Sequence, residues 1–255
     1  MNKFPSKIPI AGLGVAIFAL AGPVAAEEAA GDFTVTSNIS LYSDYVARGV
    51  TNSDSKPALQ GSVKLAHNSG LYVSAWASNA RFEWMNNDIP GAKDSPDIEV
   101  DLSAGWGAEF ENGLSVDVGI LRYLYPGVPS YRNMPYTEFY AGMGYKIDDL
   151  NLSGKYYYSP SFTLAPNGES ASYVTATAEY ALPYEVKIGA SYGHSFGSAF
   201  RVLGTSSYDD YRIGVSKDIS GVVASLNWYD TNSRGKQLNG SLADGRLVVG
   251  LSKDF

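Results

Sequence analysis

Residues 98–110, Ile-Glu-Val-Asp-Leu-Ser-Ala-Gly-Trp-Gly-Ala-Glu-Phe, place apolar side chains at the even positions and polar side chains or glycine between them. Successive side chains of a strand point to opposite faces, so this stretch predicts a β-strand with one apolar and one polar face. Residues 114–120 repeat the pattern, again with the apolar side chains at even positions. The two stretches together predict an antiparallel hairpin.

About twelve such segments, each of roughly ten residues, follow one another from Phe33 to Phe255. Short turns and long links alternate between them. The short turns are predicted near 68–70, 111–113, 148–149, 183–185 and 220–221, and the long links near 49–56, 81–96, 126–135, 160–170, 196–206 and 232–240. Short periplasmic turns alternating with longer external loops are typical of outer-membrane barrels. The sequence therefore predicts an all-β fold, a transmembrane antiparallel up-and-down β-barrel of about twelve strands.

The lengths of the short turns agree with the faces of the strands that they join. Directly opposite residues of a hairpin share a face, so turn length and strand pattern must match. The three-residue turn 111–113 joins Phe110 to Leu114, and the two-residue turn 148–149 joins Ile147 to Leu150. Glycine in such turns supplies the positive φ that tight hairpins need.

The N-terminal segment predicts export. Lys3 and Lys7 precede an apolar stretch, residues 8–21, and the small residues 24–26 follow it, which is the pattern of a secretory signal peptide. We place cleavage after Ala26, which leaves residues 27–255 as the barrel domain; the alternative is an uncleaved anchor. No later segment has the twenty or so consecutive apolar residues that a spanning helix needs.

Charge and composition exclude several classes of function. The formal net charge of −7 becomes −9 without Lys3 and Lys7, and such an acidic chain is not expected to bind nucleic acid. There is no cysteine for a disulfide framework. With two histidines and no cysteine, and without a phosphate-binding glycine motif, the sequence predicts neither a transition-metal site nor another cofactor.

Aromatic residues near the predicted outer ends of the strands suggest a belt at the membrane interface. They are Tyr123, Tyr125, Tyr156, Tyr157, Tyr158, Tyr208, Tyr211, Trp228 and Tyr229. Ordinary strand propensity is the alternative explanation. The chain ends with Phe255 on an alternating strand, which resembles the signal by which outer-membrane proteins engage their assembly machinery.

Several motifs are similar to one known family. They are Ser43-Asp44-Tyr45, Arg48-Gly49-Val50-Thr51, Pro57-Ala58-Leu59-Gln60-Gly61, His67 with Ser69-Gly70, Trp76 with Ser78-Asn79, Glu99-Val100-Asp101-Leu102, Tyr173, and Tyr208-Asp209-Asp210-Tyr211. In these the chain resembles the TorF-like porins of proteobacteria. The resemblance implies a small outer-membrane barrel and brings with it neither catalytic residues nor an established substrate.

Strand parity predicts which charged residues line the lumen. They are Asp44, Arg48, Lys64, Glu99, Asp101, Asp117, Glu138, Lys155, Glu179, Lys187, Asp210 and Arg212. Isolated charges in an apolar core would cost several kcal/mol each, so their number favours a water-containing lumen. Either these residues set ion selectivity, or they pair across the lumen and close it. The seven acids outnumber the five bases, which predicts a weak cation preference if the pore is open.

The sequence thus favours passive diffusion of small hydrophilic solutes or ions through the outer membrane, with lipid and lipopolysaccharide as surroundings. A structural or ligand-binding barrel is the alternative, and a surface lipid hydrolase using His67 and Ser69 is a third. The adjacent pair His194-Ser195 would face opposite sides of its strand. Residues 82–96 could form a plug or an external loop, and Arg122 could contact lipopolysaccharide phosphate or simply extend to the interface.

Overall fold

The computed structural model describes residues 31–82, 95–130, 134–162 and 168–255. The predicted signal peptide and most of the 82–96 segment lie outside these residues. Within the described ranges, no helix is long and apolar enough to cross a membrane.

Twelve strands of the described chain pair antiparallel with their neighbours and close into a barrel. The barrel strands are β1 (Phe33–Tyr42), β4 (Ala58–His67), β5 (Leu71–Asn79), β6 (Ile98–Glu109), β7 (Leu114–Leu124), β8 (Tyr136–Ile147), β9 (Leu150–Ser159), β10 (Ala171–Leu182), β11 (Val186–Phe196), β12 (Ser207–Ile219), β13 (Val222–Thr231) and β14 (Arg246–Asp254). Two short strands, β2 (Val46–Ala47) and β3 (Val50–Thr51), form a separate hairpin. The predicted barrel and its strand number are confirmed.

The two faces of the barrel wall follow the alternation in the sequence. In β6, Leu102 and Trp106 are exposed on the outer face, whereas Glu99 and Asp101 are buried in the interior. The same alternation puts leucine, isoleucine and valine side chains on the outside of the other barrel strands. A continuous apolar exterior of this kind favours contact with lipid, because exposing so much apolar surface to water costs free energy.

All five short turns occur at the predicted places. Ile147 pairs directly with Leu150, and Ile219 with Val222, as turn parity requires. Gly113 has a φ of 85°, which confirms its expected role. The opposite end of the barrel carries the long links, two of which contain the helices α1 (Ser198–Val202) and α2 (Ser233–Asn239).

The barrel closes between the first and the last strand. β1 pairs with β14 over five residues, Asn38–Tyr42 against Gly250–Asp254, but with β4 over ten. Two further backbone hydrogen bonds join Ser37 and Phe255, at 3.0 and 2.9 Å. The terminal residue Phe255 therefore belongs to the seam that completes the ring.

The β2–β3 hairpin folds into the barrel rather than away from it. Its tip, Arg48-Gly49, has φ values of 49° and 76°, as in a tight two-residue turn. The tip meets two other parts of the ring: Arg48 contacts Glu138 on β8, on the far side, and the phenol of Tyr208 on β12 donates to the Arg48 carbonyl at 3.2 Å. The two alternatives for residues 82–96, a plug or an external loop, stay predictions because most of that segment lies outside the described residues.

Candidate functional site

The twelve charged residues chosen by parity all lie on the inner side of the barrel wall or on the inserted segment. Eight are buried and four are half-buried. The structure divides them into three groups: a layer around Arg48, a pair formed by Asp117 and Lys155, and a group around Arg212. These groups determine how much of the lumen remains open.

The Arg48 guanidinium lies at the centre of the first group. One of its nitrogens donates to both carboxylate oxygens of Glu138, at 2.8 and 2.7 Å. Its central carbon lies 4.5 Å from the ring centre of Tyr173 and 5.4 Å from that of Tyr157, which are cation–π distances. Tyr123 also donates to Glu138, at 2.9 Å. These contacts hold the tip of the hairpin against the far wall of the lumen.

The same layer contains more carboxylates than cations. Glu99 accepts a hydrogen bond from the Tyr45 phenol at 3.1 Å. Asp101 is 2% exposed, and neither of its carboxylate oxygens has a hydrogen-bond partner among the described residues. Burial, followed by the nearby charge of Glu99, raises the pKa of the Tyr45 phenol, so Tyr45 remains a hydrogen-bond donor.

A second group lies on β5, β7, β8 and β9. The Lys155 ammonium pairs with Asp117 at 2.9 Å, and both side chains are nearly inaccessible to solvent. Tyr72 donates to the other oxygen of Asp117 at 2.6 Å. Lys155 also lies 3.9 Å from the ring centre of Tyr140. A buried ion pair with these extra contacts offsets its own desolvation, which an isolated charge could not.

The third group lies on the neighbouring strands β10 to β13. Arg212 donates to the Asn227 side-chain oxygen at 3.1 Å and lies 3.7 Å from a carboxylate oxygen of Glu179. Lys64 lies over the ring of Tyr72 at 3.9 Å, and Lys187 is half-buried on β11. Six of the twelve predicted charges thus form three pairs, Arg48–Glu138, Lys155–Asp117 and Arg212–Glu179, which is the arrangement expected of a narrowed lumen.

Arg246 is an interior residue that sequence reasoning missed. Its guanidinium donates to Asp44 at 2.9 Å and to Ser55 at 2.9 Å. Asp44 also accepts from Thr51 and, at 2.8 Å, from Ser53. These bonds fasten the base of the hairpin segment to β14. Strand parity could have identified Arg246 as an inward residue, because the neighbouring Leu247 faces outward.

Part of the predicted aromatic belt is wrong. Tyr156, Tyr158, Tyr211 and Trp228 are exposed on the outer face, as expected. In contrast, Tyr123, Tyr125, Tyr157, Tyr208 and Tyr229 do not belong to the belt; the first four are buried, and Tyr229 packs against a buried interior cluster. Their positions in the alternation point inward, where the phenols can reach carboxylates. Strand parity, rather than nearness to a strand end, decides the environment of each ring.

The Arg246 contacts predict a protease-sensitive variant. Replacing Arg246 with methionine removes the bonds to Asp44 and Ser55, so the hairpin segment should leave the lumen more often. Limited trypsin digestion of the refolded barrel should then cleave after Arg48 roughly tenfold faster. Lys236→Met, which breaks only the exposed pair with Asp230, is the matched control and should leave the rate unchanged. Equal cleavage of the two variants would contradict the proposed fastening.

His67 and Ser69, the pair considered for a hydrolase, are in contact, but at the short-turn end of the barrel. His67 Nδ1 contacts Ser69 Oγ at 2.8 Å within the short turn between β4 and β5. The other histidine, His194, pairs with Asp209 at 2.6 Å near the long-link end of β11 and β12. Ser195 is buried on the opposite face from His194. The serine–histidine and histidine–aspartate contacts therefore lie at opposite ends of the barrel.

Solved structures with the same architecture are porins. A structure described as KdgM porin in complex with disordered oligogalacturonate aligns with a TM-score of 0.55 at 10% identity, covering 87% of this chain and 98% of that chain. The NanC porin aligns with a TM-score of 0.55 at 9% identity, with the same coverage of both chains. At these identities the likeness shows the fold alone.

Comparison of sequences, unlike comparison of structures, identifies the family. A search of curated proteins gives no significant match. A family model described as "Bacterial protein of unknown function (Gcw_chp)" matches residues 26–255, which include every described strand. The chain therefore belongs to the Gcw_chp family of bacterial proteins.

Proposed function

We propose that this protein is a porin-like channel of the outer membrane that admits small hydrophilic solutes or ions. One observation carries the proposal: a closed barrel of twelve described strands has an apolar exterior and an interior of charged side chains and phenols. A lipid-facing wall explains the exterior, and a water-filled path explains why so many charges face inward.

The inserted hairpin narrows this path at the long-link end. Arg48 reaches Glu138 and two tyrosines on the far wall, so the tip spans most of the ring. A twelve-stranded ring has a backbone diameter of roughly 24 Å and leaves roughly 10 Å between inward side chains. A hairpin inside that space leaves room only for small solutes.

The cellular setting belongs to the same proposal. A signal peptide over residues 1–26 would export the chain, and the family match begins at residue 26. Lipid and lipopolysaccharide would contact the apolar wall, and the assembly machinery would engage the terminal strand that ends in Phe255. We also propose that the protein is related to the TorF-like porins and is not an enzyme. The position of the His67–Ser69 contact in a short turn, far from the outer leaflet, supports the second point.

Planar-bilayer recordings test the channel. We expect the refolded protein to give stable conductance steps, and a reversal potential in a salt gradient that indicates a weak preference for cations, because carboxylates outnumber bases inside the barrel. An anion-shifted reversal potential would contradict the role given to the inward carboxylates.

A closed structural barrel is the second candidate. The pairs Arg48–Glu138, Lys155–Asp117 and Arg246–Asp44 favour it, because they cross-link the interior. Folded protein that inserts into the bilayer but never conducts would support this candidate and overturn the channel.

A further inference from the structure

The surroundings of Arg48 form a cage for a guanidinium group. The carboxylate of Glu138 accepts from it in a charge-assisted contact, and the rings of Tyr157 and Tyr173 lie within cation–π distance. All three side chains are on barrel strands, so they do not belong to the hairpin that supplies the guanidinium. A barrel without the hairpin would retain the carboxylate and the two rings.

The cage contains more carboxyl groups than cations even with Arg48 in place. Glu99 and Asp101 on β6 interact electrostatically with Arg48, together with Glu138. Asp101 is 2% exposed and has no hydrogen-bond partner among the described residues. A buried carboxylate without a partner is costly, and a second cation near it would offset that cost.

Arg48 belongs to the same chain as the cage, so it competes with any free cation for the cage. It stands at the tip of a hairpin whose two strands contain two residues each. An attached ligand competes with a free one at an effective concentration of about the millimolar range. A free cation of the same shape can therefore displace it only at comparable concentrations.

We propose that this cage is a binding site for small organic cations that carry a guanidinium group, and that Arg48 occupies it as an internal stand-in for such a ligand. The proposal rests on the porin-like function and names the class of solute that the lumen favours. Entry of the cation displaces the hairpin tip, so the ligand also opens the path. Recognition comes from Glu138 and from the faces of Tyr157 and Tyr173.

Isothermal titration calorimetry with methylguanidinium chloride tests the site on the full barrel refolded in detergent. Arg48→Gln removes the competing cation and should bind methylguanidinium roughly tenfold more tightly than the unaltered protein. Arg48→Gln combined with Glu138→Gln should lose this gain. Tetramethylammonium, which has the same charge but no N–H donors, should bind more weakly to Arg48→Gln.

Folding is checked by circular dichroism on each variant. Gly49→Val, which displaces the tip but keeps Arg48, is a second variant in case Arg48→Gln does not fold, and it should also bind methylguanidinium. Folded variants that bind no better than the unaltered protein would overturn the site. Calorimetry measures binding without any ion flow, so the two proposals can fail separately. A barrel that binds methylguanidinium but never conducts refutes only the channel. A barrel that conducts but does not bind methylguanidinium refutes only the cage.

Discussion

Replacing Gly49 with valine is expected to raise single-channel conductance roughly two- to threefold. A Cβ at this position would lie 2.5 Å from the methyl carbon of Thr231 and 2.8 Å from the Cβ of Asp210. The φ of 76° is also strained for a β-branched residue. The tip must therefore leave its position against β12 and β13, and the path between the tip and these two strands widens.

Gly204→Val is the matched control for this experiment. Gly204 also has a positive φ, but a Cβ there would meet nothing within 4 Å. The control thus carries the backbone strain without the clash, and its conductance should equal that of the unaltered protein. A rise in both variants, or in neither, would show that the tip does not limit the current.

The same substitution, aspartate to asparagine, should change the free energy of unfolding in opposite directions at two positions on neighbouring strands. Asp101→Asn replaces a buried carboxyl group that has no hydrogen-bond partner among the described residues, and it should increase the free energy of unfolding by about 1–3 kcal/mol. Asp117→Asn leaves Lys155 buried without its carboxylate and should decrease the free energy of unfolding by about 3–5 kcal/mol. Each variant is thus the control for the other.

Urea titration of the barrel in lipid vesicles, followed by tryptophan fluorescence, measures both changes. Destabilisation of Asp101→Asn by as much as Asp117→Asn would mean that Asp101 has a partner that compensates its charge.

The sequence was sufficient to predict the barrel because one periodic signal determines it. Alternation in β6 and β7, turn parity at residues 148–149, and the order of long and short links each depend on local spacing alone. The same parity places Glu99 and Asp101 in the interior. The charged lumen follows from these local rules.

The hairpin plug could not be read in the same way. Arg48 meets a carboxylate 90 positions away, and nothing in its neighbourhood specifies that distance. Whether Tyr157 supports a membrane belt or a cation cage depends on the side of the wall that it faces and on what enters the lumen. Contacts across the ring arise only after closure, so they leave no periodic trace in the sequence.

Because the hairpin contacts form only after the ring has closed, they also bear on the order in which the parts of the barrel assemble. The hairpin lies near the beginning of the chain, yet its far contacts are on β8, β9, β10 and β12, and the ring is completed only when β14 meets β1. Long-range pairings form late because loop closure must precede them. The segment that is synthesised among the first is therefore positioned among the last. Until these contacts form, the barrel lacks the constriction that the hairpin provides.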